Sequence, residues 1–218
     1  STRGVFIGGL TPSKLTTLDS ITIASQGNAV DYGDLITAKR GPAGVSNSVT
    51  GFAAGGDTGS TVNVIESFRI NNGGTATDFG DLTTTSKNAA ANSASHGGLN
   101  DGYQGTRIAP IATGGGAGQR GLFAGGSPTR STIRKVHIST DGNTSNFGDL
   151  SVGRRQFVGG GSGLTRGLFG GGYSPGAHSD VIDYITFSHE GNAADFGNLS
   201  ATGEDGAGLA NETRAVYA

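Results

Sequence analysis

An all-β repeat array, folded as a small propeller, is what this sequence predicts, and three observations predict it. An opening phrase, RGLFGGG at Arg166, recurs as RGVFIGG at Arg3, GFAAGG at Gly51, RGLFAGG at Arg120 and RAVYA at Arg214. A closing phrase, DFGNL from Asp195, recurs as DYGDL from Asp31, DFGDL from Asp78 and NFGDL from Asn146. The spacing is regular: Gly4, Gly51, Gly121, Gly167 and Ala215 lie 47, 70, 46 and 48 residues apart, so one repeat carries about twenty extra residues. A period near 47 with four short β phrases is about one propeller blade.

Each repeat reads the same way. After the Gly-Gly doublet at Gly8-Gly9 comes a polar loop to Thr17. Leu18 to Ala24 (LDSITIA) then alternates and is β-branched, a strand signal. Ser25 to Asn28 is a hairpin turn, since Gly and Asn accept turn geometry at little cost. Asp31 to Leu35 is its partner strand, and Lys39 to Ser46 a small-residue strand leading into the next repeat. Residues 51–82, 120–150 and 153–199 repeat the order. For the first strand of the third repeat two segments compete. Arg107 to Gly118 (RIAPIATGGGAG) is preferred for its likeness to Arg155 to Gly163, which makes 87–106 the insertion; Lys87 to Ser95 is the other choice. The chain is read as a single repeat domain, 1–218, with repeats at 1–46, 47–106, 107–152, 153–199 and a partial 200–218. No segment has an amphipathic helix pattern.

Four complete repeats and five opening strands leave the blade count at four or five. Residues 203–210 complete the first blade in a ring of four, which leaves TRAVYA over. A ring of five uses that strand, as does a strand lent to a neighbouring copy, because an unpaired strand is an open edge.

FIGG at 6–9, FAGG at 123–126 and FGGG at 169–172, each followed by a β-rich strand such as VIDYITF, resemble the kelch repeat. The kelch tryptophan of the fourth strand is absent; Tyr32, Phe79, Phe147 and Phe196 stand near its place. The resemblance implies kelch-like four-stranded blades. The fuller pattern RGxFGGG…IDYITI…GNAxDFGDL, at 166–199 and with substitutions at 3–35 and 120–150, resembles glycine-rich repeats of tail-fibre and structural proteins of tailed phages, cyanobacterial phages in particular. That resemblance implies a virion component at a tail or capsid surface, with other virion proteins as partners.

Composition narrows the function. Glycine is 42 of 218 residues, placed in register with the repeat, which argues for tight turns rather than disorder. Lys+Arg 15 against Asp+Glu 17 gives no basic footprint for nucleic acid. Without cysteine there is no disulfide framework, thiolate metal site or cysteine nucleophile. No apolar run is long enough to insert in a membrane. A start without Met and a stop inside a repeat read as a processed or excised piece, or as ends that meet in space. His96, His137, His178 and His189 form no zinc pattern, the glycine strings are not phosphate loops, and no GxSxG elbow occurs. No metal, cofactor or catalytic set is expected.

In an antiparallel blade the loops after the Gly-Gly strand share a face with the blade-to-blade loops. The sequence therefore places a site there, on variable loops held by a rigid scaffold. The candidates are His96, Asn100, Asp101, Tyr103 and Arg107 from the insertion, and Tyr173 and His178 from the fourth loop, with Lys14 and Arg130 adding charge. Aromatic rings beside amides and carboxylates suit a sugar. The expectation is a non-enzymatic module binding host-surface glycans or virion proteins. The alternatives are a polysaccharide-degrading enzyme using two of Asp101, Asp180 and Glu204, and a kelch-type adaptor. The repeated Asp34, Asp81 and Asp149 are read as turn-closing carboxylates rather than calcium ligands. The repeated Arg3, Arg120, Arg166 and Arg214 are read as partners of aspartates.

Overall fold

A computed structural model describes residues 3–47, 49–93, 120–140, 142–163, 165–210 and 214–218. It is all-β, with successive antiparallel sheets arranged as a four-blade β-propeller. Blade 1 holds β1 (Arg3–Leu10), β2 (Lys14–Thr22) and β3 (Val30–Lys39). Blade 2 holds β4 (Ala43–Ser46), β5 (Thr50–Ala54), β6 (Val64–Arg69) and β7 (Thr77–Asp81). Blade 3 holds β8 (Ala90–Ser93), β9 (Arg120–Ala124), β10 (Arg130–His137) and β11 (Ser145–Arg154). Blade 4 holds β12 (Gly159–Ser162), β13 (Arg166–Ser174), β14 (Ala177–Thr186) and β15 (Ala194–Asn198). A hairpin of β16 (Gly208–Ala210) and β17 (Ala215–Tyr217) follows, standing on the inner strand of blade 4. Thus β16 pairs with β17 and not with β1, and blade 1 has three strands.

The third blade takes Ala90–Ser93 as its first strand, the second of the two segments the sequence offers. β8 ends at Ser93 and β9 begins at Arg120, both at the end of the blade opposite the loops after the Gly-Gly doublets.

The repeated phrases have physical causes. Each doublet is in left-handed geometry, with φ of +67° and +106° at Gly55 and Gly56 and +62° and +107° at Gly125 and Gly126. A Cβ on Gly125 would lie 2.3 Å from Arg154 O, so backbone fills the space a side chain would need. In the closing phrase the glycine belongs to a bulge on its own strand: the pairs Leu18↔Gly33, Ile65↔Gly80, Ile133↔Gly148 and Ile182↔Gly197 are each followed by a register shift that leaves the aromatic before the glycine unpaired. Onto this glycine the hairpin turn of the following blade docks. Gly74 N–H donates to Tyr32 O at 2.8 Å and Ala76 N–H to Asp34 O at 2.7 Å. The same pair recurs as Gly142 to Phe79 (3.1 Å) with Thr144 to Asp81 (2.8 Å), and as Gly191 to Phe147 (2.9 Å) with Ala193 to Asp149 (2.7 Å).

The core lies between blades rather than within them. Leu18 and Leu35 of blade 1 pack on Ala53, Phe68 and Ile70 of blade 2. Phe52, Ile65 and Phe79 of blade 2 meet Phe123 and Val136 of blade 3. Leu122, Ile133 and Phe147 of blade 3 meet Phe169 and Ile185 of blade 4. Phe79 and Phe147 are buried in the place of the missing tryptophan, and Phe79 meets Phe52 edge to face at 4.7 Å.

The repeated arginines were expected to pair with aspartates; the contacts of two of them run chiefly to strand-end carbonyls, and Arg166 lies over the Tyr184 ring. Arg3 donates to the carbonyls of Ile70 (2.9 Å) and Asn71 (3.2 Å) on the next blade, and to Tyr32 Oη (2.6 Å). Arg120 donates to Phe187 O at 2.5 Å. Arg120 also has a carboxylate near it, but a glutamate of the docked turn rather than a repeated aspartate: Glu190 Oε1 lies 3.9 Å from its Nη2. The aspartates close turns instead: Asp31, Asp78 and Asp195 accept from the N–H of Gly33, Gly80 and Gly197 at 3.1, 3.2 and 2.9 Å. Asp34 and Asp149 accept from Thr16 and Ser131 hydroxyls.

Candidate functional site at the mouth of the axis

The linkers between blades converge on one end of the axis. Gly41, Asn88, Gln156 and Asp205 occupy equivalent positions, all with left-handed φ between +50° and +61°. Their backbones join in a chain: Asn88 N–H to Gly41 O (2.9 Å), Gln156 N–H to Asn88 O (3.0 Å) and Asp205 N–H to Gln156 O (3.0 Å). Together with the inner strands they line a mouth of about 370 Å³. Gly44, Ala91, Gly160 and Gly208 separate it from a second axial cavity of about 620 Å³ at the other end.

One residue outward stand Arg40, Lys87, Arg155 and Glu204. The first three are fixed by backbone bridges to loops of the next strands. Arg40 pairs with Asp57 (3.2 and 2.9 Å), Lys87 with Ser127 (3.3 and 2.7 Å) and Arg155 with Tyr173 (3.0 and 2.7 Å). Asp57 is the centre of a charge cluster. Lys87 Nζ lies 2.7 Å from its carboxylate, Lys14 Nζ 3.3 Å and Arg40 Nη2 3.5 Å. The hydrogen bond from Lys87, then that from Gly59 N–H, holds the Asp57 carboxyl far below its ordinary value. Three cations on one carboxylate leave this side of the mouth positive.

On the other side Arg155 lies over the Tyr173 ring, 5.0 Å from its centre, and His178 meets that ring edge-on at 5.6 Å. His178 Nδ1 is 3.8 Å from Glu204 Oε2, and Gln156 Nε2 donates to Asp205 at 2.9 Å. The His178 side chain is half exposed. Tyr173 and His178, expected on a loop, lie instead on β13 and β14, where the strands run on almost to the turn and pair the two residues directly; Lys14, at the start of β2, joins the Asp57 cluster. Arg130 belongs to the β10–β11 pairing, opposite Arg154. His96, Asn100, Asp101, Tyr103 and Arg107 lie outside the described residues.

Sequence reasoning passed over Arg40, Lys87, Arg155 and Asp57. A signal was present: Arg40, Lys87 and Arg155 are spaced 47 and 68 residues apart, the same intervals as the closing phrase. Their convergence depends on inner strands meeting at an axis, which spacing alone does not reveal.

No protein-family model matches this chain, and no curated protein sequence matches it. The architecture and the site rest on the residues themselves.

Proposed function

We propose that this chain is a non-catalytic binding module of a phage virion, exposed on its surface, whose axial mouth takes host-surface glycans carrying acidic groups. The observation that carries the reading is the ring of linker residues at the mouth. Lys14, Arg40 and Lys87 outnumber their carboxylate on one side, and the Tyr173–His178–Arg155 cluster stands on the other. Acidic sugars match such a rim: guanidinium and ammonium groups take the carboxylate, and ring edges take the apolar sugar face. The virion assignment rests on the repeat phrases.

The test is a glycan array holding neutral and acidic polysaccharides, probed with the intact chain. Binding to acidic members is expected, weakened about tenfold by Arg155→Ala or His178→Ala and weakened by salt. Binding to neutral glycans alone, or to none, overturns the ligand class. Release of sugar from a bound glycan overturns the non-catalytic role. Failure of an antibody against the chain to label purified virions overturns the virion assignment.

A further inference from the structure

The joint made three times inside the chain is left half-made at each end. Phe6 of blade 1 is equivalent to Ala53, Phe123 and Phe169, which are wholly buried against the preceding blade, yet it is 57% exposed. Ile23 is equivalent to Ile70, Ile138 and Phe187, each at most 7% exposed, yet it is 66% exposed. The turn Ser25–Asn28 has the Gly-Asn pair of the docked turns at Gly142-Asn143 and Gly191-Asn192, and all four residues are exposed. On blade 4 the receiving side is equally bare. Phe196 is 52% exposed where Phe79 and Phe147 are buried, and nothing lies within 4 Å of a Cβ built on Gly197. The counterparts at Gly33, Gly80 and Gly148 meet the docked turn at 2.0 to 2.5 Å.

We infer that blade 1 of a second copy of this chain docks on blade 4, head to tail, through the same joint. Gly27 N–H would reach Phe196 O, and Ala29 N–H would reach Asn198 O. Asn28 would take Asn198 N–H, as Asn143 and Asn192 take the N–H of Asp81 and Asp149. The seat for the incoming Phe6 is held in one copy by Tyr217, whose ring lies against Gly170. Arg214-Ala215-Val216-Tyr217 repeats Arg3-Gly4-Val5-Phe6, so β1 of the incoming copy replaces β17 beside β16. The chain's own blade 1 is held to blade 2 by the first internal joint, and its face is bare to solvent, so the occupant is drawn from a second copy. A head-to-tail contact is heterologous and builds rings or filaments.

Sedimentation across a concentration series reads this directly. Reversible self-association is expected. Gly27→Val abolishes it without harming the single copy. Its φ is outside the left-handed region and no atom is near its Cβ, whereas the docked equivalents Gly74, Gly142 and Gly191 hold φ of +100°, +148° and +148°. Phe196→Ser weakens association about a hundredfold, and Tyr217→Gly strengthens it by emptying the seat. A chain that is monomeric at every concentration overturns the proposal, and protection of Ile23 in that monomer would assign the seam to closure within one copy. Self-association untouched by Gly27→Val, or lost with Tyr217→Gly, overturns the proposed joint.

Discussion

Buried charge is where single residues matter most in this molecule. Lys39 and Glu66 pair at 2.6 Å with side chains 1% exposed, and Arg154 and Asp183 pair at the equivalent position of blade 4 with none exposed. Blade 3 breaks the pattern: Arg134 stands in the acid's place and Ser86 in the base's. Arg134 instead donates to Gly125 O at 2.6 Å, and burial pulls its pKa down to about 10. Arg154→Met strands the Asp183 carboxylate, so a loss of about 3–5 kcal/mol is expected in urea unfolding, largely recovered by adding Asp183→Leu. Arg134→Met strands no acid and is expected to cost less than Arg154→Met. The Asp57 carboxyl is depressed in the folded chain. Its contribution is therefore present above its ordinary value of 3.8 and lost as pH falls through the folded value. Acid titration of stability should show a smaller loss below that pH in Asp57→Asn than in the unmodified chain.

At the scale of the element, the unit that repeats is a strand pair with a bulge glycine and a turn that docks on its neighbour. The same substitution at two copies separates backbone strain from the joint. Gly80 and Gly197 share left-handed φ, +147° and +139°, but a Cβ on Gly80 meets Gly142 O at 2.5 Å while one on Gly197 meets nothing. Gly80→Ala should cost about 1–3 kcal/mol more than Gly197→Ala in denaturant unfolding of dilute chain, since overpacking adds to the shared strain. Equal costs would mean that the joint contributes little. The strands, doublets and closing phrases were legible in the sequence because each imposes a local residue type. The third blade's first strand was not. AANS and a glycine-rich run both satisfy a small-residue edge strand, and only pairing with Arg120–Ala124 chose between them.

For the whole molecule, stability resides in contacts between neighbours, as in any stacked array. Blades 2 and 3 have a neighbour on both sides; blade 1 and the β16–β17 hairpin do not. Hydrogen exchange in dilute chain should therefore be slowest in β5, β9 and β10 and fastest in β17. Slow exchange in β17 would show a closed ring with no bare end. The electropositive side of the mouth is a property of this scale too, assembled from Lys14, Arg40 and Lys87 of three linkers and loops.

By itself the sequence determined the all-β class, the repeat and the propeller, because local turn geometry and period are written residue by residue. It also singled out Tyr173 and His178, though as loop residues, where the structure pairs them across β13 and β14. The tertiary structure alone decided that Arg3 and Arg120 grip carbonyls, that Arg40, Lys87 and Arg155 surround one mouth, and that Ala90–Ser93 is the first strand of blade 3. It also decided that β16 pairs with β17 rather than β1. Each of those depends on which strands and blades become neighbours across tens of residues. That choice is made by burying apolar faces between blades, and no local phrase encodes it.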